Sequence, residues 1–371
     1  MTASAPRRSP FERHPWITLG LLGLVGVLGT DVVFTRVYRS VRPPASNGPE
    51  FRIRNPVYDH GFRPFASVDR EYWGPWVASY RINSLGFRDR VVREVPLESP
   101  RRRLLFIGDS FVEGMGFDYE RSFVGQVDAA LAPGVEVLNA GVASYCPIIY
   151  ERKVRYLLDD VGLRFQDLVV FIDIGDILDE VTYKLDAAGN VVPRQARRHK
   201  EGPLNRVYGD PLFGRFGPLE SFLRWNTLIC FPVYDWVHHL ARTRGSRAAL
   251  WTVDPELMRE YGQEGLDLAS RHMDELLATL RRHDVSLTLA VYPWPDQVLI
   301  GDLDSAQARY WRGWTSARGV GFIDYFPAFV DRARPREAVR RYFIPGDIHW
   351  SAEGHRAVAE GFLASYAWRP Q

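Results

Sequence analysis

The stretch that decides the fold is Arg103–Gly116, Arg-Leu-Leu-Phe-Ile-Gly-Asp-Ser-Phe-Val-Glu-Gly-Met-Gly. Leu104 to Ile107 is a short apolar run, which predicts a strand buried on both faces of a parallel sheet. Gly108 lets the backbone turn sharply, so that Ser110 follows at the carboxyl end of this strand. Ligands of open α/β sheets bind at that edge, and Ser110 is therefore a candidate nucleophile. Its hydroxyl needs a base, an orienting partner and oxyanion donors from elsewhere in the chain.

Composition bounds the class of protein. The chain has 371 residues, of which 46% are hydrophobic and 13% aromatic, as in folded proteins. This length suffices for one large α/β core or two smaller ones. The formal net charge is only +2, so charge gives no reason to expect nucleic acid as a partner. Cys146 and Cys230 either form one disulfide or remain two small buried residues, and no cysteine spacing indicates a zinc site.

The N-terminal region predicts a membrane anchor. Residues 1–15 form a polar tail, and 16–34 is an apolar transmembrane stretch that, at about 1.5 Å per residue, is long enough to cross a bilayer. A signal peptide and a buried core helix are the alternatives, but no small-residue cleavage site follows directly. The arginines on the two sides balance, so the positive-inside count does not decide the orientation. Residues 35–79 are expected to form a tether and lead-in to a domain at 80–371.

Predicted strands and helices alternate regularly after Ser110. Strands are expected at 135–138, 168–174, 286–292 and 320–324, with helical stretches between them. This order implies right-handed βαβ units and therefore an α/β fold with a parallel sheet. The rhythm breaks over 181–250, which we interpret as an insertion covering one edge of the site.

The last loop supplies the partners that Ser110 needs. Asp347 and His349 stand one residue apart, just before a helix for which Ser351 is the expected N-cap. His349 can accept the proton of Ser110, while Asp347 holds the imidazole in the required tautomer and stabilises the imidazolium. The expected oxyanion donors are the backbone N–H groups of Ser110 and Gly141.

Acidic residues follow the strand predicted at 168–174. Asp173, Asp176, Asp179 and Glu180 offer oxygen ligands to a divalent metal, but we interpret them as a solvated loop, or as Asp176 ordering the site through hydrogen bonds. Asp176 is thus placed among the oxyanion and binding residues, although an ionised carboxylate would repel a developing oxyanion. No metal and no cofactor are expected.

These motifs resemble the SGNH, or GDSL-type, hydrolase superfamily over roughly residues 80–367. Gly108-Asp109-Ser110 matches the nucleophile motif, Gly141 the glycine of the oxyanion hole, and Asp347 and His349 the acid and base of the terminal motif. The lead-in Asn-Ser-Leu-Gly-Phe-Arg at 83–88 is also similar to that of many bacterial members. The resemblance implies a three-layer α/β/α, flavodoxin-like fold and ester hydrolysis through an acyl-enzyme on Ser110.

Two departures from the family pattern bear on activity. The family places an Asn, the third oxyanion donor, in Gly-x-Asn-Asp, whereas this chain has Asp173-Ile174-Gly175-Asp176. Loss of such a donor costs on the order of 3 kcal/mol of transition-state stabilisation. The Asp-x-His-Trp ending is similar to that of alginate O-acetylation proteins, which act on polysaccharides outside the cytoplasm.

Three functions stay open on the sequence alone. The first is a membrane-anchored esterase with an extracytoplasmic, periplasmic domain that acts on acetyl esters of carbohydrate. The second is a polysaccharide O-acetyltransferase, in which a sugar hydroxyl instead of water resolves the acyl-enzyme. The third is a catalytically weak polysaccharide-binding or assembly protein. The expected partners are a small-molecule or carbohydrate ester and the membrane.

Overall fold

The computed structural model describes residues 14–41, 51–73, 76–194, 222–223, 226–234, 250–345 and 347–366. The chain divides into two compact units, residues 1–46 with 211–240 and residues 47–210 with 241–371. The predicted tail at 1–15 lies almost entirely outside the described residues, as does most of the predicted insertion at 181–250. The role of that insertion remains a prediction.

A long apolar helix, α1 (Pro15–Val41), forms most of the described part of the smaller unit. Its span Pro15–Tyr38 has a mean hydropathy of 2.0, and only 6% of its most apolar window is buried. The helix contains the whole predicted anchor at 16–34 and is long and apolar enough to cross a membrane. A signal sequence has the same length and composition.

Asp31 is the only acidic residue of α1, and it is buried. Its carboxylate accepts hydrogen bonds from the backbone N–H groups of Leu228, Ile229 and Cys230, at 3.0, 2.9 and 2.6 Å. The hydroxyl of Thr35 donates to it as well, at 3.2 Å. Helix α1 and the segment around 228 are thereby linked through one carboxylate. The Cys230 thiol is free, as is that of buried Cys146 in the other unit.

The larger unit is built on one mixed sheet with two small hairpins. The strands are β1 (Arg52–Asn55), β2 (Asp59–Phe62), β3 (Ser67–Trp73), β4 (Trp76–Ile82), β5 (Arg88–Asp89), β6 (Arg102–Ile107), β7 (Val135–Asn139), β8 (Asp167–Ile172), β9 (Tyr183–Leu185), β10 (Val191–Pro193), β11 (Ser286–Val291) and β12 (Gly321–Asp324). The sheet order is β12-β11-β8-β6-β7-β5-β4-β3, while β1 pairs with β2 and β9 with β10.

Five neighbouring strands, β12-β11-β8-β6-β7, pair in parallel. Numbered along the chain, their order is 2-1-3-4-5, which is the flavodoxin-like arrangement. The predicted α/β fold with a parallel sheet is therefore confirmed. Leu104, Leu105, Phe106 and Ile107 of β6 are fully buried, as expected for a strand covered on both faces.

Helices cover both faces of the sheet. They are α2 (Ser110–Glu113), α3 (Phe123–Leu131), α4 (Pro147–Arg155), α5 (Asp176–Glu180), α6 (Gln263–Arg282), α7 (Pro295–Leu299), α8 (Ala306–Arg318), α9 (Phe326–Phe329), α10 (Pro335–Tyr342) and α11 (Ala352–Ser365). Helix α3 packs against α11, and α4 packs against α6. Right-handed crossovers put these two pairs on opposite faces, which gives the three layers.

The region predicted as a tether at 35–79 differs from that expectation, because β1, β2, β3 and the start of β4 lie within it. In β4 the side chains of Ala78, Tyr80 and Ile82 are buried, and the residues between them are partly exposed. Phe51 and Phe62 pack against the Tyr80 ring, with centroids 5.3 and 6.0 Å away. Apolar alternation and aromatic contacts thus decide the structure here, whereas the Pro and Gly content suggested a linker. The folded unit begins well before residue 80.

Gly108 sets how closely β6 approaches α2. A Cβ at this position would lie 2.4 Å from Val112 Cγ2 and 3.2 Å from the Phe171 carbonyl oxygen. We expect Gly108→Ala to lower the free energy of unfolding by about 1–3 kcal/mol, because overpacking forces its neighbours to move. Thermal unfolding of the detergent-solubilised chain measures this change.

The matched control for that substitution is Gly313→Ala in α8. No atom lies within 4 Å of the Cβ built there, and Gly313 is exposed. Alanine should stabilise the helix by up to about 1 kcal/mol. Equal unfolding midpoints for the two variants would contradict the close packing inferred at Gly108.

Candidate active site

Ser110 lies at the point where β6 passes into α2. Asp109 caps this helical turn, because its carboxylate accepts the Phe111 N–H at 3.0 Å. Ser110 is then the first helical residue, and the position is 9% exposed. The hydroxyl stands at the carboxyl end of a central parallel strand, beside the switch point of the sheet between β6 and β8.

The structure brings Ser110 together with the two residues of the final loop. His349 Nε2 lies 2.7 Å from Ser110 Oγ, and His349 Nδ1 lies 2.5 Å from Asp347 Oδ1. Since the carboxylate can only accept, Nδ1 carries the proton and donates to Asp347. Nε2 of the neutral ring is then the acceptor for the Ser110 hydroxyl. This is the geometry of a nucleophile, a base and an orienting acid.

Local contacts hold the His349 loop in place. The Ile344 N–H donates to the His349 carbonyl at 2.9 Å, and the His349 N–H donates to Asp347 Oδ1 at 2.9 Å. The imidazole packs against the Phe111 ring at 4.9 Å. Ser351 accepts the Gly354 N–H at 3.2 Å and caps α11, as the sequence predicts. The base is therefore fixed by backbone, aromatic and helix-cap contacts together.

Gly141 lies close to α2, the helix that begins at Ser110. A Cβ on Gly141 would fall 2.6 Å from Val112 Cγ1 and 2.9 Å from the Glu113 nitrogen, so this position requires glycine. The Gly141 N–H donates to Asn139 Oδ1 at 3.0 Å. To serve as an oxyanion donor, this N–H must exchange the Asn139 oxygen for a substrate oxygen. Its role in catalysis remains a prediction.

Asp176 belongs to a buried cluster of three carboxylates with Asp109 and Asp173. One oxygen from each lies within 4.8 Å of the other two, and all three side chains are buried. Tyr150 and Tyr292 donate their hydroxyls to Asp176 and Asp109, at 2.9 and 3.0 Å. Asp173 accepts the indole N–H of Trp294 at 2.6 Å, together with the N–H groups of Gly175 and Asp176 at 2.7 and 3.0 Å. The cluster spans the ends of β6, β8 and β11.

Burial governs the charge of this cluster. It raises the pKa of Asp109 and Asp176 well above the ordinary value, and the Asp173 charge raises both further. Burial also raises the pKa of Asp173, but its indole and backbone donors oppose that rise. Asp173 therefore has the most donors that favour its ionised form. Neutral side-chain donors and backbone N–H groups therefore provide hydrogen bonds to all three carboxylates.

Trp294 occupies the space beside Gly175, where the family pattern has its Asn. A Cβ on Gly175 would lie 2.8 Å from Trp294 Cζ2 and 3.1 Å from Asp173 Oδ1. An asparagine therefore does not fit beside this indole, and the departure seen in the sequence has a structural counterpart. The sequence 292–295, Tyr-Pro-Trp-Pro, suggested either a stacking surface for a sugar ring or aromatic core packing. Both aromatic side chains are buried and donate to the carboxylate cluster, a role that the sequence did not predict.

His355 has a structural role, as its position in α11 suggests. Its Nδ1 accepts the Phe123 N–H at 3.2 Å. Burial lowers the pKa of His355 to about 3, with a smaller effect from Arg88, so the ring is neutral. It caps α3 and takes no part in the Ser110 contact.

Comparisons with known proteins found matches among solved structures. No model of a known protein family matches it, and no curated protein matches it. Solved structures do match, each covering roughly seven-tenths of this chain. In these matches the chain resembles the G-D-S-L, or SGNH, hydrolases.

Three matched structures illustrate the similarity. A lipolytic protein of the G-D-S-L family from Desulfitobacterium hafniense has a TM-score of 0.40 and 13% identity, covering 72% of this chain and 100% of its own. A member of that family from Veillonella parvula has a TM-score of 0.38 and 10% identity, and the match covers 71% of this chain and 98% of its own. A catalytic mutant of an acetylxylan esterase from Geobacillus stearothermophilus has a TM-score of 0.37 and 14% identity, and the match covers 71% of this chain and 93% of its own. TM-scores this low do not support a conclusion about activity. Any conclusion about activity depends instead on the distances around Ser110.

The carboxylate cluster predicts a specific dependence of stability on pH. A carboxyl whose folded pKa is raised keeps its proton in the folded chain at pH values where the unfolded chain has lost it. Stability therefore falls as pH rises through that window. Asp176→Asn cannot ionise and should escape this loss. Its unfolding midpoint should exceed that of wild type by about 2–4 °C at pH 8, with a smaller difference at pH 5.

Thermal unfolding at a series of pH values measures the effect. Glu98→Gln, at an exposed carboxylate of the same unit, is the control and should track wild type throughout. If the gap between Asp176→Asn and wild type were constant over pH, Asp176 would not hold a proton in the folded chain.

Proposed function

We propose that this chain is a serine-dependent acyl-ester hydrolase that works through an acyl-enzyme on Ser110. The observation that carries the proposal is the continuous hydrogen-bond path from Ser110 Oγ through both ring nitrogens of His349 to Asp347, at 2.7 and 2.5 Å. Nucleophilic hydroxyls are activated by such an arrangement. No cofactor is needed for this chemistry.

Each residue has a defined step. Ser110 Oγ attacks the ester carbonyl while His349 Nε2 takes its proton, and Asp347 stabilises the resulting imidazolium. His349 then gives the proton to the leaving alcohol as the C–O bond breaks. Water, deprotonated by His349, attacks the acyl-enzyme and releases the acid, with the proton returning to Ser110. The N–H groups of Ser110 and Gly141 are the proposed donors to the oxyanion.

Protonation of the carboxylate cluster supports this chemistry. Asp109 is the neighbour of the nucleophile, and two further carboxylates lie within reach of it. Three ionised groups there would oppose the negative charge that forms on the substrate oxygen. Because burial raises the pKa of Asp109 and Asp176, the cluster carries less negative charge beside Ser110.

The proposed substrate is an acyl ester of carbohydrate, with acetyl as the acyl group. Support comes from the Asp-x-His-Trp ending, 347–350, which is similar to that of proteins acting on polysaccharide acetyl groups. The same ending keeps the transferase as the second candidate, since the two activities differ only in whether water or a sugar hydroxyl resolves the acyl-enzyme.

Covalent labelling tests the proposed nucleophile. A fluorophosphonate probe should label wild-type chain, and Ser110→Ala should abolish both labelling and hydrolysis of a chromogenic acetyl ester. Asp347→Asn should reduce turnover by roughly 10³–10⁴-fold while leaving the fold intact. Ser316→Ala, at an exposed serine of α8, is the control and should label as wild type.

The outcomes separate the candidate functions. Loss of label in Ser110→Ala with release of acetate supports the hydrolase. Acetylated sugar, formed only when an oligosaccharide is added, assigns the chain to the transferases. If folded wild-type protein is not labelled, that result contradicts the enzymatic proposal and favours the binding or assembly role.

We also propose that α1 anchors the catalytic unit outside the cytoplasm. The length and mean hydropathy of Pro15–Tyr38 support the anchor, and the similarity to extracytoplasmic polysaccharide-modifying proteins supports the orientation. An alkaline phosphatase fusion after Arg42 should be active, because that enzyme needs an oxidising compartment. A fusion after Pro10, on the other side of α1, should be inactive. The reverse pattern would place the catalytic unit in the cytoplasm.

A further inference from the structure

Lys153 is a buried lysine in a chain that has only three lysines. It lies on the inner face of α4, and its side chain runs towards the end of β7. Nζ donates to the Ala140 carbonyl oxygen at 2.9 Å and to the Tyr145 hydroxyl oxygen at 3.2 Å. Three aromatic rings, those of Tyr58, Phe87 and Tyr145, lie 4.8–5.3 Å from Nζ.

No carboxylate forms an ion pair with Lys153 within the described ranges. The ammonium group of Lys153 is stabilised instead by one carbonyl oxygen, one hydroxyl oxygen and the faces of three aromatic rings. Burial lowers the pKa of Lys153 to about 7. Taking an ammonium group out of water without a counter-ion is costly, and an apolar residue of similar size would be more stable there. Such a cost at the edge of a catalytic site indicates a function.

The loop that Lys153 contacts, residues 140–145, lies directly beside the nucleophile helix. Gly141 packs against Val112, as described above. The Ala140 carbonyl and the Gly141 N–H belong to the same peptide group. An ammonium group on that carbonyl oxygen draws electron density from the peptide and makes its N–H a stronger donor.

We propose that Lys153 is a positioning residue for Ser110 chemistry: it holds the 140–145 loop and polarises the Ala140–Gly141 peptide, so that the Gly141 N–H stabilises the oxyanion. This inference rests on the proposed function. Negative charge on the substrate then develops at one end of a peptide dipole whose other end meets a cation. The contribution disappears when Lys153 loses its proton.

The other ionisable groups around Lys153 form no ion pair with it in the described part of the chain. Tyr58 and Tyr145 stay neutral, because burial raises the pKa of both hydroxyls. Glu113 pairs with Arg52 and accepts the Ala143 N–H at 2.8 Å. Asp59 pairs with Arg54 and with the ring of His60, whose other nitrogen contacts the Ala143 carbonyl. These carboxylates already have partners, and Lys153 is the cation that contacts the Ala140 carbonyl oxygen directly.

The decisive variant is Lys153→Met, which keeps the length of the side chain and removes the charge. In the full detergent-solubilised chain, kcat for a chromogenic acetyl ester should fall about tenfold or more with little change in KM. Wild-type kcat should decline on the alkaline side of about pH 7, and the variant should lack this decline. Lys184→Met, at an exposed lysine, is the matched control and should leave both the rate and the pH profile unchanged.

Stability distinguishes this role from a merely structural one. Above about pH 7 the folded lysine is mostly neutral while the unfolded lysine is still protonated, so the stability of wild type relative to Lys153→Met should rise with pH there. Lys153→Met should have an unfolding midpoint at pH 6 equal to or above that of wild type. A lower midpoint at every pH, with an unchanged pH profile of kcat, would mean that Lys153 is only a packing residue.

Tyr145→Phe is the second variant, which keeps the inference testable if Lys153→Met does not fold. It removes one acceptor of the ammonium group, so the alkaline decline of kcat should move to lower pH. An unmoved decline overturns the inference. Fluorophosphonate labelling separates the two proposals: an unlabelled wild type refutes the proposed function itself. A labelled wild type, matched in rate and pH profile by Lys153→Met, refutes only the role of Lys153.

Discussion

The hydrogen bond between the Ser110 hydroxyl and His349 joins residues that are 239 positions apart, and the geometry of the site depends on it. Neither residue can adjust much by itself. Ser110 is fixed by the tight turn at Gly108 and by the Asp109 cap, and His349 by its own loop and by Asp347. The contact forms because the carboxyl end of β6 and the loop before α11 lie at the same edge of the sheet. The fold therefore determines the 2.7 Å distance between Ser110 Oγ and His349 Nε2.

Buried charge is distributed unevenly around this contact. At the ends of β6 and β8, three carboxylates meet with no cationic side chain among their hydrogen-bond donors in the part of the chain that the structure describes. Tyrosine, tryptophan and backbone groups donate to them instead. Beyond β7, an ammonium group is satisfied by a carbonyl, a hydroxyl and aromatic faces, without an ion-pair partner in the described ranges. An ion pair with an oppositely charged side chain would lower the free-energy cost of burying each of these groups. Gain or loss of a proton therefore sets the charge on both sides of Ser110, in a pH range that burial determines.

Sequence reasoning predicted the parallel sheet, and it singled out Ser110, His349 and Asp347, which the structure brings into contact. Both follow from local patterns. An apolar run before Gly108 indicates a buried strand, and Asp347 and His349 precede a capped helix. The meeting of Asp109, Asp173 and Trp294 was not predictable in the same way, since three separate strand ends bring them together. Lys153 was missed for a related reason. A lysine on a helix is ordinarily solvated, and only the packing of α4 reveals that this one is buried.

The single carboxylate of α1 has a practical consequence for preparing this protein. Asp31 accepts three N–H groups at 228–230, in a segment that also exposes the apolar side chains of Ile229 and Val233. Removing the first 46 residues to obtain a water-soluble protein would remove the hydrogen-bond acceptor of that segment. Its exposed apolar side chains would remain. A shortened form would then aggregate through residues remote in sequence from the cut. Deleting 211–240 together with the first 46 residues removes the whole smaller unit at once.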